Sequence, residues 1–188
     1  PALPSESSHT WEMLPPAPIQ LEQLATPQAI ATVETILQAS QQVHRPAAAM
    51  SGGRNLILVD DVLNCEFLGS HTPAIARPQQ FGYDLQLVDR HTPASPSADE
   101  PPTLLQLFIR GNPFRGSAGL TQTAQAWFEA LLQANALQAL VVYGSPYLIE
   151  QFLPRLPAAV PYVFTYGQMP QAQAIALDVL FAQETNGS

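Results

Sequence analysis

Apolar residues in the second half of this chain gather into short unbroken runs, set between longer stretches where they recur every three or four positions. Leu104 to Ile109, Ala139 to Tyr143 and Tyr162 to Thr165 are the runs, each bounded by Gly or Pro. Thr121 to Asn135, the segment after Ser145, and Pro170 to about Ala182 have helical spacing, with Trp127, Leu131 and Leu132 on one face of the first. Runs of about four to eight apolar residues alternating with helices predict a parallel sheet covered on both faces. Ser145 precedes Pro146 at a strand-to-helix turn and is placed as N-cap, while Pro154 and Pro157 stop that helix.

The first half reads less evenly. Residues 1–25 carry Pro1, Pro4, Pro15, Pro16 and Pro18, with Trp11, Met13 and Leu14 as the large apolar group, and are assigned as a linker. Thr26-Pro27 starts a helix in which Ile30, Val33, Ile36 and Leu37 recur at helical spacing through about Gln42. Asn55 to Asp60 is a buried strand, Val62 to Leu68 a short helix, and Tyr83 to Val88 a strand with moderate alternation. His71 to Gln80, interrupted by Pro73 and Pro78, is expected to be irregular, and His91 to Pro102 a surface loop. The fold expected is one α/β domain over residues 26–188, a three-layer sandwich whose mostly parallel sheet has helices on both faces.

Charge narrows the partners. The 188 residues contain no Lys, are 12% charged and have a net charge of -8. Nucleic acid and anionic membranes need a basic footprint, so neither is expected. No apolar run approaches the roughly 20 residues of a membrane-spanning helix, and the chain opens Pro-Ala-Leu-Pro without the basic-then-apolar pattern of a signal peptide. With no initiator Met it is expected to be a piece of a longer protein. The single Cys65 excludes an internal disulfide and a Cys-based zinc site, and a lone thiol suits a reducing, cytoplasmic compartment. The four His are scattered without metal-ligand spacing, so no metal or cofactor is expected.

In a parallel sheet the loops after the strands gather along one edge, where open α/β sheets bind ligands. Four loops contribute candidates there: Asp60 and Asp61; Arg110, Asn112 and Arg115; Tyr143, Ser145 and Tyr147; and Tyr166 with Gln168. Such a group suits hydrogen bonding to a sugar or to a neighbouring domain. Adjacent carboxylates on an extended chain point to opposite sides, so Asp60 and Asp61 are read as a helix cap or an Arg partner. Gly111 to Gly116 lacks the spacing and the Lys of a phosphate-binding loop. Gly144-Ser145-Pro146-Tyr147 lacks the second Gly of a nucleophile elbow, and no His follows it.

Asn-Leu-Ile-Leu-Val-Asp from Asn55, Val-Val-Tyr-Gly-Ser-Pro-Tyr-Leu from Val141, Pro-Tyr-Val-Phe-Thr-Tyr-Gly from Pro161 and the closing Ala-rich helix resemble the C-terminal domain of family 3 glycoside hydrolases. That family includes β-glucosidases and β-N-acetylhexosaminidases. The Lys-free, Ala- and Gln-rich character with Leu63-Asn64-Cys65-Glu66-Phe67-Leu68 is similar to cyanobacterial members. The resemblance spans roughly residues 26–182. It implies a partner in the same polypeptide, an N-terminal (β/α)8 barrel that carries the nucleophilic Asp. Hexosaminidase-type members also carry their acid/base His on that barrel. Glucosidase-type members draw an acid/base Glu from this second domain, and none of Glu66, Glu100, Glu129 and Glu150 matches its context. Retaining hydrolysis needs two carboxyl groups about 5 Å apart across one sugar, so the resemblance implies an accessory domain that packs on the barrel, with residues 1–25 as the connection. The alternative is a non-catalytic carbohydrate- or small-molecule-binding α/β module, with Tyr143, Tyr147 and Tyr166 available for stacking.

Overall fold

The computed structural model describes residues 26–46, 50, 52–60, 65–94, 99–109 and 118–182. The apolar runs become strands β2 (Gly53–Val59), β3 (Tyr83–Val88), β4 (Thr103–Ile109), β5 (Leu137–Gly144) and β6 (Tyr162–Thr165). A short strand β1 (Gln42–His44) precedes them, and the sheet order is β1-β6-β5-β4-β2-β3. All neighbouring pairs are parallel except β1 with β6. Every residue of β4 is buried, as expected of a central strand covered on both faces.

Helices α1 (Pro27–Ser40), α2 (Pro73–Gln80), α3 (Ala118–Gln133), α4 (Pro146–Phe152) and α5 (Pro170–Phe181) form the outer layers. On one face Leu56, Leu58, Leu105, Leu107, Leu140, Val142 and Phe164 pack with Trp127, Phe128 and Leu131 of α3 and with Leu148, Ile149 and Phe152 of α4. On the other, Ile57, Leu104, Phe108, Val141, Tyr143 and Val163 pack with Ala74 and Ile75 of α2 and with Ala176, Leu177, Leu180 and Phe181 of α5. Helix α5 lies between α2 and α1. The three-layer α/β sandwich is therefore as expected from the alternation of runs and helices.

Three expectations need correction. The stretch with Pro73 and Pro78 is helical rather than irregular. Pro73 stands in the first turn, where its missing N–H is not needed. Pro78 deprives the Ala74 carbonyl of its i+4 donor, and that carbonyl accepts instead from Asn55 Nδ2 at 2.9 Å and Gln106 Nε2 at 2.8 Å. The Ala74 N–H, an orphan of the first turn, donates to Gln173 Oε1 of α5 at 3.1 Å. Side chains from the sheet and from α5 thus supply both partners.

The second correction is β1. The helix was expected to run to about Gln42, but it ends at Ser40 and Gln42–His44 pair with β6. Three exposed residues carry no alternation by which a strand is recognised. Third, of the short helix expected over Val62 to Leu68, residues 62–64 lie outside the described residues and Cys65 to Leu68 form a turn closed by Leu68 N–H to Cys65 O at 3.2 Å. The linker assigned to residues 1–25 also lies outside them.

The polar groups around Ala74 form a closed set. Gln106 Nε2 also donates to Asn55 Oδ1 at 2.6 Å, and Gln106 Oε1 accepts from the Tyr143 hydroxyl at 2.9 Å. Asn55, Gln106, Tyr143 and Gln173 have no solvent exposure, so each bond replaces one that water would otherwise make. On the opposite face of the sheet, at the N-terminal end of the strands, Arg54 pairs with Glu100 and donates to Thr103 Oγ1 at 3.2 Å and Gln86 Oε1 at 3.3 Å, its guanidinium lying 5.8 Å from the Trp127 ring centre.

Replacing Gln106 by Leu leaves the Tyr143 hydroxyl and Asn55 Oδ1 without these partners and halves the donors to Ala74. At about 1–3 kcal/mol per stranded buried group, Gln106→Leu is expected to lower unfolding free energy by about 2–4 kcal/mol in urea titrations. A loss under about 1 kcal/mol counts against the network. Burial pushes the Tyr83 phenol from 10.0 up to about 12, and burial pushes Tyr143 further. Both phenols stay protonated in the folded chain where the unfolded chain ionises, so their stabilising contribution is complete below pH 10 and is lost as pH rises through the folded values. Stability is expected to fall from about pH 10 upward, and Tyr83→Phe to flatten that fall in alkaline titrations followed by circular dichroism.

Candidate functional site

The parallel strands end along one edge, and the turns after β3, β5 and β6, with Asp60 after β2, are described there. Two groups of residues result. After β2 and β3, Asp60 forms an exposed ion pair with Arg90 at 3.3 Å. Beside it Asp89 accepts from the Thr92 hydroxyl at 2.8 Å and the His91 N–H at 2.9 Å. The Thr92 hydroxyl foremost, then the His91 N–H, hold the Asp89 carboxyl below its ordinary range. Asp60 is thus engaged by the neighbouring loop and Asp89 by its own. Of the two readings of Asp60, the Arg partnership is the one observed.

After β5 and β6 the surface carries exposed large apolar side chains. Tyr143 sits opposite Thr165 in the sheet register, so the following turns lie side by side. Gly144 lets the turn after β5 close against the end of β4: its φ is +122°, and a Cβ there would fall 2.6 Å from Ile109 O. Gln168 Nε2 spans the gap to the Tyr143 carbonyl at 3.1 Å, and Gln168 O in turn accepts from Gln173 Nε2 at 2.8 Å. Gln173 Nε2 also reaches Phe67 O at 2.8 Å, so one buried amide holds the turns after β2 and β6. On this scaffold stand Tyr147 on α4, 74% exposed, Tyr166, 52% exposed, and Met169, 43% exposed. The Tyr166 ring meets Phe164 edge-on, with centroids 4.8 Å apart.

The remaining candidates divide clearly. Tyr143 is fully buried, stacked on Phe108 with centroids 4.2 Å apart, so its ring is a core element and offers nothing to a ligand. Ser145 occupies the N-cap position, but its hydroxyl makes no cap bond. Its carbonyl already accepts from the Leu148 N–H at 3.1 Å, and Pro146 has no N–H to offer. Asp61, Arg110, Asn112 and Arg115 lie outside the described residues. Sequence reasoning missed Met169 and Arg90. Arg90 follows a strand parallel to β2, so placing β3 next to β2 would have found it.

Among the described residues no group of three or more His, Cys, Asp or Glu is placed to hold a metal ion. The described edge can therefore make contacts and hydrogen bonds, and its two carboxylates are already paired or capped. Residues 47–182 match the bacterial glycosyl hydrolase family 3 C-terminal domain. The chain belongs to this family. In fold, this family 3 C-terminal domain is similar to a glycoside hydrolase family 3 β-N-acetylglucosaminidase from Paenibacillus sp. str. FPU-7, with a TM-score of 0.51 and 16% identity over 97% of this chain and 34% of that one. A β-N-acetylglucosaminidase from Thermotoga maritima also matches, with a TM-score of 0.46 and 10% identity over 79% of this chain and 31% of that one. No curated protein matches. The domain spans about a third of the length of the solved structures it matches.

The close approach at Gly144 makes the edge sensitive. Gly144→Ala forces a Cβ against the Ile109 carbonyl at a strained φ, at a cost of roughly 1–3 kcal/mol. The expected result is a lower thermal midpoint, with faster hydrogen exchange in the turns after β5 and β6 than elsewhere in the sheet. A uniform change would separate Gly144 from the edge.

Proposed function

We propose that this domain is the accessory, non-catalytic part of a β-glycoside hydrolase, a β-glucosidase or β-N-acetylhexosaminidase, and that it docks on a catalytic (β/α)8 barrel of the same polypeptide through its strand-end edge. The observation that carries the reading is the exposure of Tyr147, Tyr166 and Met169 on one stretch of that edge, over an internally bonded base. Apolar and aromatic side chains on a rigid base are what a docking surface needs, because ordering them on contact costs little. A stacking site for sugar would want a polar cleft floored by aromatic rings, whereas the third tyrosine of the set, Tyr143, is enclosed in the core. The family's description as a C-terminal domain supports the same assignment. In this reading the barrel supplies the nucleophile and the domain shapes or stabilises the site.

The test is hydrolysis of p-nitrophenyl β-glucoside and p-nitrophenyl β-N-acetylglucosaminide by the parent polypeptide and by this chain, side by side. Activity in the parent alone is expected. Turnover by the isolated chain overturns the accessory role, since two carboxyl groups suited to the reaction would then lie within it. Silence in both, with sugar binding by the isolated chain, favours the binding module. Tyr147→Ser with Tyr166→Ser in the parent is expected to lower activity or thermal midpoint, as loss of buried interface aromatics typically costs about 1–2 kcal/mol or more each.

A further inference from the structure

Helix α1 carries its apolar residues on one face but buries only one of them. Ile30, Val33 and Leu37 are spaced by three and four, which aligns them along one stripe, and Ile36 flanks it. Leu37 is buried, while Ile30, Val33 and Ile36 are 47%, 43% and 59% exposed. The stripe is thus seated at Leu37 alone and bare at Ile30 and Val33, with Ile36 bare on its flank. The helix's polar residues, Gln28, Thr32, Glu34, Thr35 and Gln38, are exposed as a solvated helix requires, so the exposed Ile30, Val33 and Ile36 are the positions that water does not account for.

The seated residue lies at the docking edge. A Cβ on Gly167 would fall 3.3 Å from Leu37 Cδ2, 2.9 Å from Ala172 Cβ and 3.9 Å from Met169 Cγ. Leu37 therefore packs against the same turn that carries Tyr166 and Met169, and the bare stripe continues from there onto α1. Helix α1 and β1 also precede the residues that match the family, 47–182. They are a unit clipped to the sheet through β6, with Thr26 as the point where the chain enters.

We infer that the docking surface extends from the strand ends onto α1, and that the Ile30–Val33–Ile36 stripe is covered by an apolar surface of the domain that precedes residue 26. This inference rests on the docking reading above. Three observations select that occupant. Two of the bare residues, Ile30 and Val33, lie in the first two turns after Thr26, within reach of whatever precedes that residue in the polypeptide. The family is a C-terminal domain, and the similar Paenibacillus enzyme extends well beyond the third of it that this chain matches. A second copy is disfavoured because each carries a net charge of -8, and like charge opposes self-association.

Hydrogen exchange read by mass spectrometry, on the parent polypeptide and on this chain, tests it. Peptides from residues 27–40 are expected to exchange at least tenfold more slowly in the parent. Ile30→Asp with Val33→Asp in the parent is expected to restore fast exchange there, while β4 peptides stay protected. Peptides from residues 144–152 and 165–170 report the strand-end docking separately. Slowing there with none in α1 overturns the extension and leaves the docking reading standing. Slowing in α1 alone supports the extension and removes the strand ends from the contact. Protection of α1 already present in this chain overturns it: independence from concentration would mean that the chain covers its own stripe, and dependence would mean a second copy. A parent with no domain ahead of residue 26 overturns both.

Discussion

The backbone of one residue, Ala74, holds this sandwich to its particular arrangement. Its N–H is an orphan of the first turn of α2 and its C=O loses a helix donor to Pro78. Without partners the two groups would cost about 2–6 kcal/mol together, a large part of a stability margin of about 5–15 kcal/mol. Gln173 of α5 bonds the first, and Asn55 of β2 with Gln106 of β4 bond the second. The helix can exist only where those three side chains already stand. Two layers of the fold are therefore tied at one point, and the apolar packing around it has a defined register rather than a range of them.

The same amides shape the working edge. Gln173, which accepts from Ala74 through Oε1, donates through Nε2 to the Phe67 and Gln168 carbonyls, and Gln168 Nε2 donates to the Tyr143 carbonyl. Polar groups near the strand ends are in this way spent inside the molecule. Tyr143, which might have faced a ligand, closes the network through Gln106. The large apolar side chains that remain outward after β5 and β6 are Tyr147, Tyr166 and Met169, adjoined by α1 through Leu37 and Gly167. A surface of this kind favours contact with another apolar surface over proton transfer, in keeping with a domain whose family is defined as the C-terminal part of a larger hydrolase.

Much of the architecture was legible in the chain. Leu104 to Ile109 and Val141 to Tyr143 are apolar on both faces, and only a strand with helices on either side buries every position. Helix α5 was legible from Pro170 and the spacing that follows it. Helix α2 was not, because two prolines in eight residues argue against a helix and their compensation lies 19, 32 and 99 residues away in sequence. Strand β1 was not, because an exposed three-residue edge strand takes its identity from its partner β6. Of the candidate residues, Asp60, Tyr147 and Tyr166 stand exposed along the predicted edge, in two separate groups.

The sequence by itself determined the class of fold, the parallel sense of the central strands and the edge where their turns gather. These follow from local periodicity and from the right-handed connection between parallel strands, both properties of contiguous residues. Tertiary structure alone decided that Asn55, Gln106 and Gln173 serve a proline-bearing helix, that Tyr143 belongs to the core, and that α1 carries an uncovered stripe. Each of these depends on which distant groups meet, and on whether a polar atom finds its partner in water or in the protein. That choice is made only when the layers close, because burial is what gives an unpaired amide its cost.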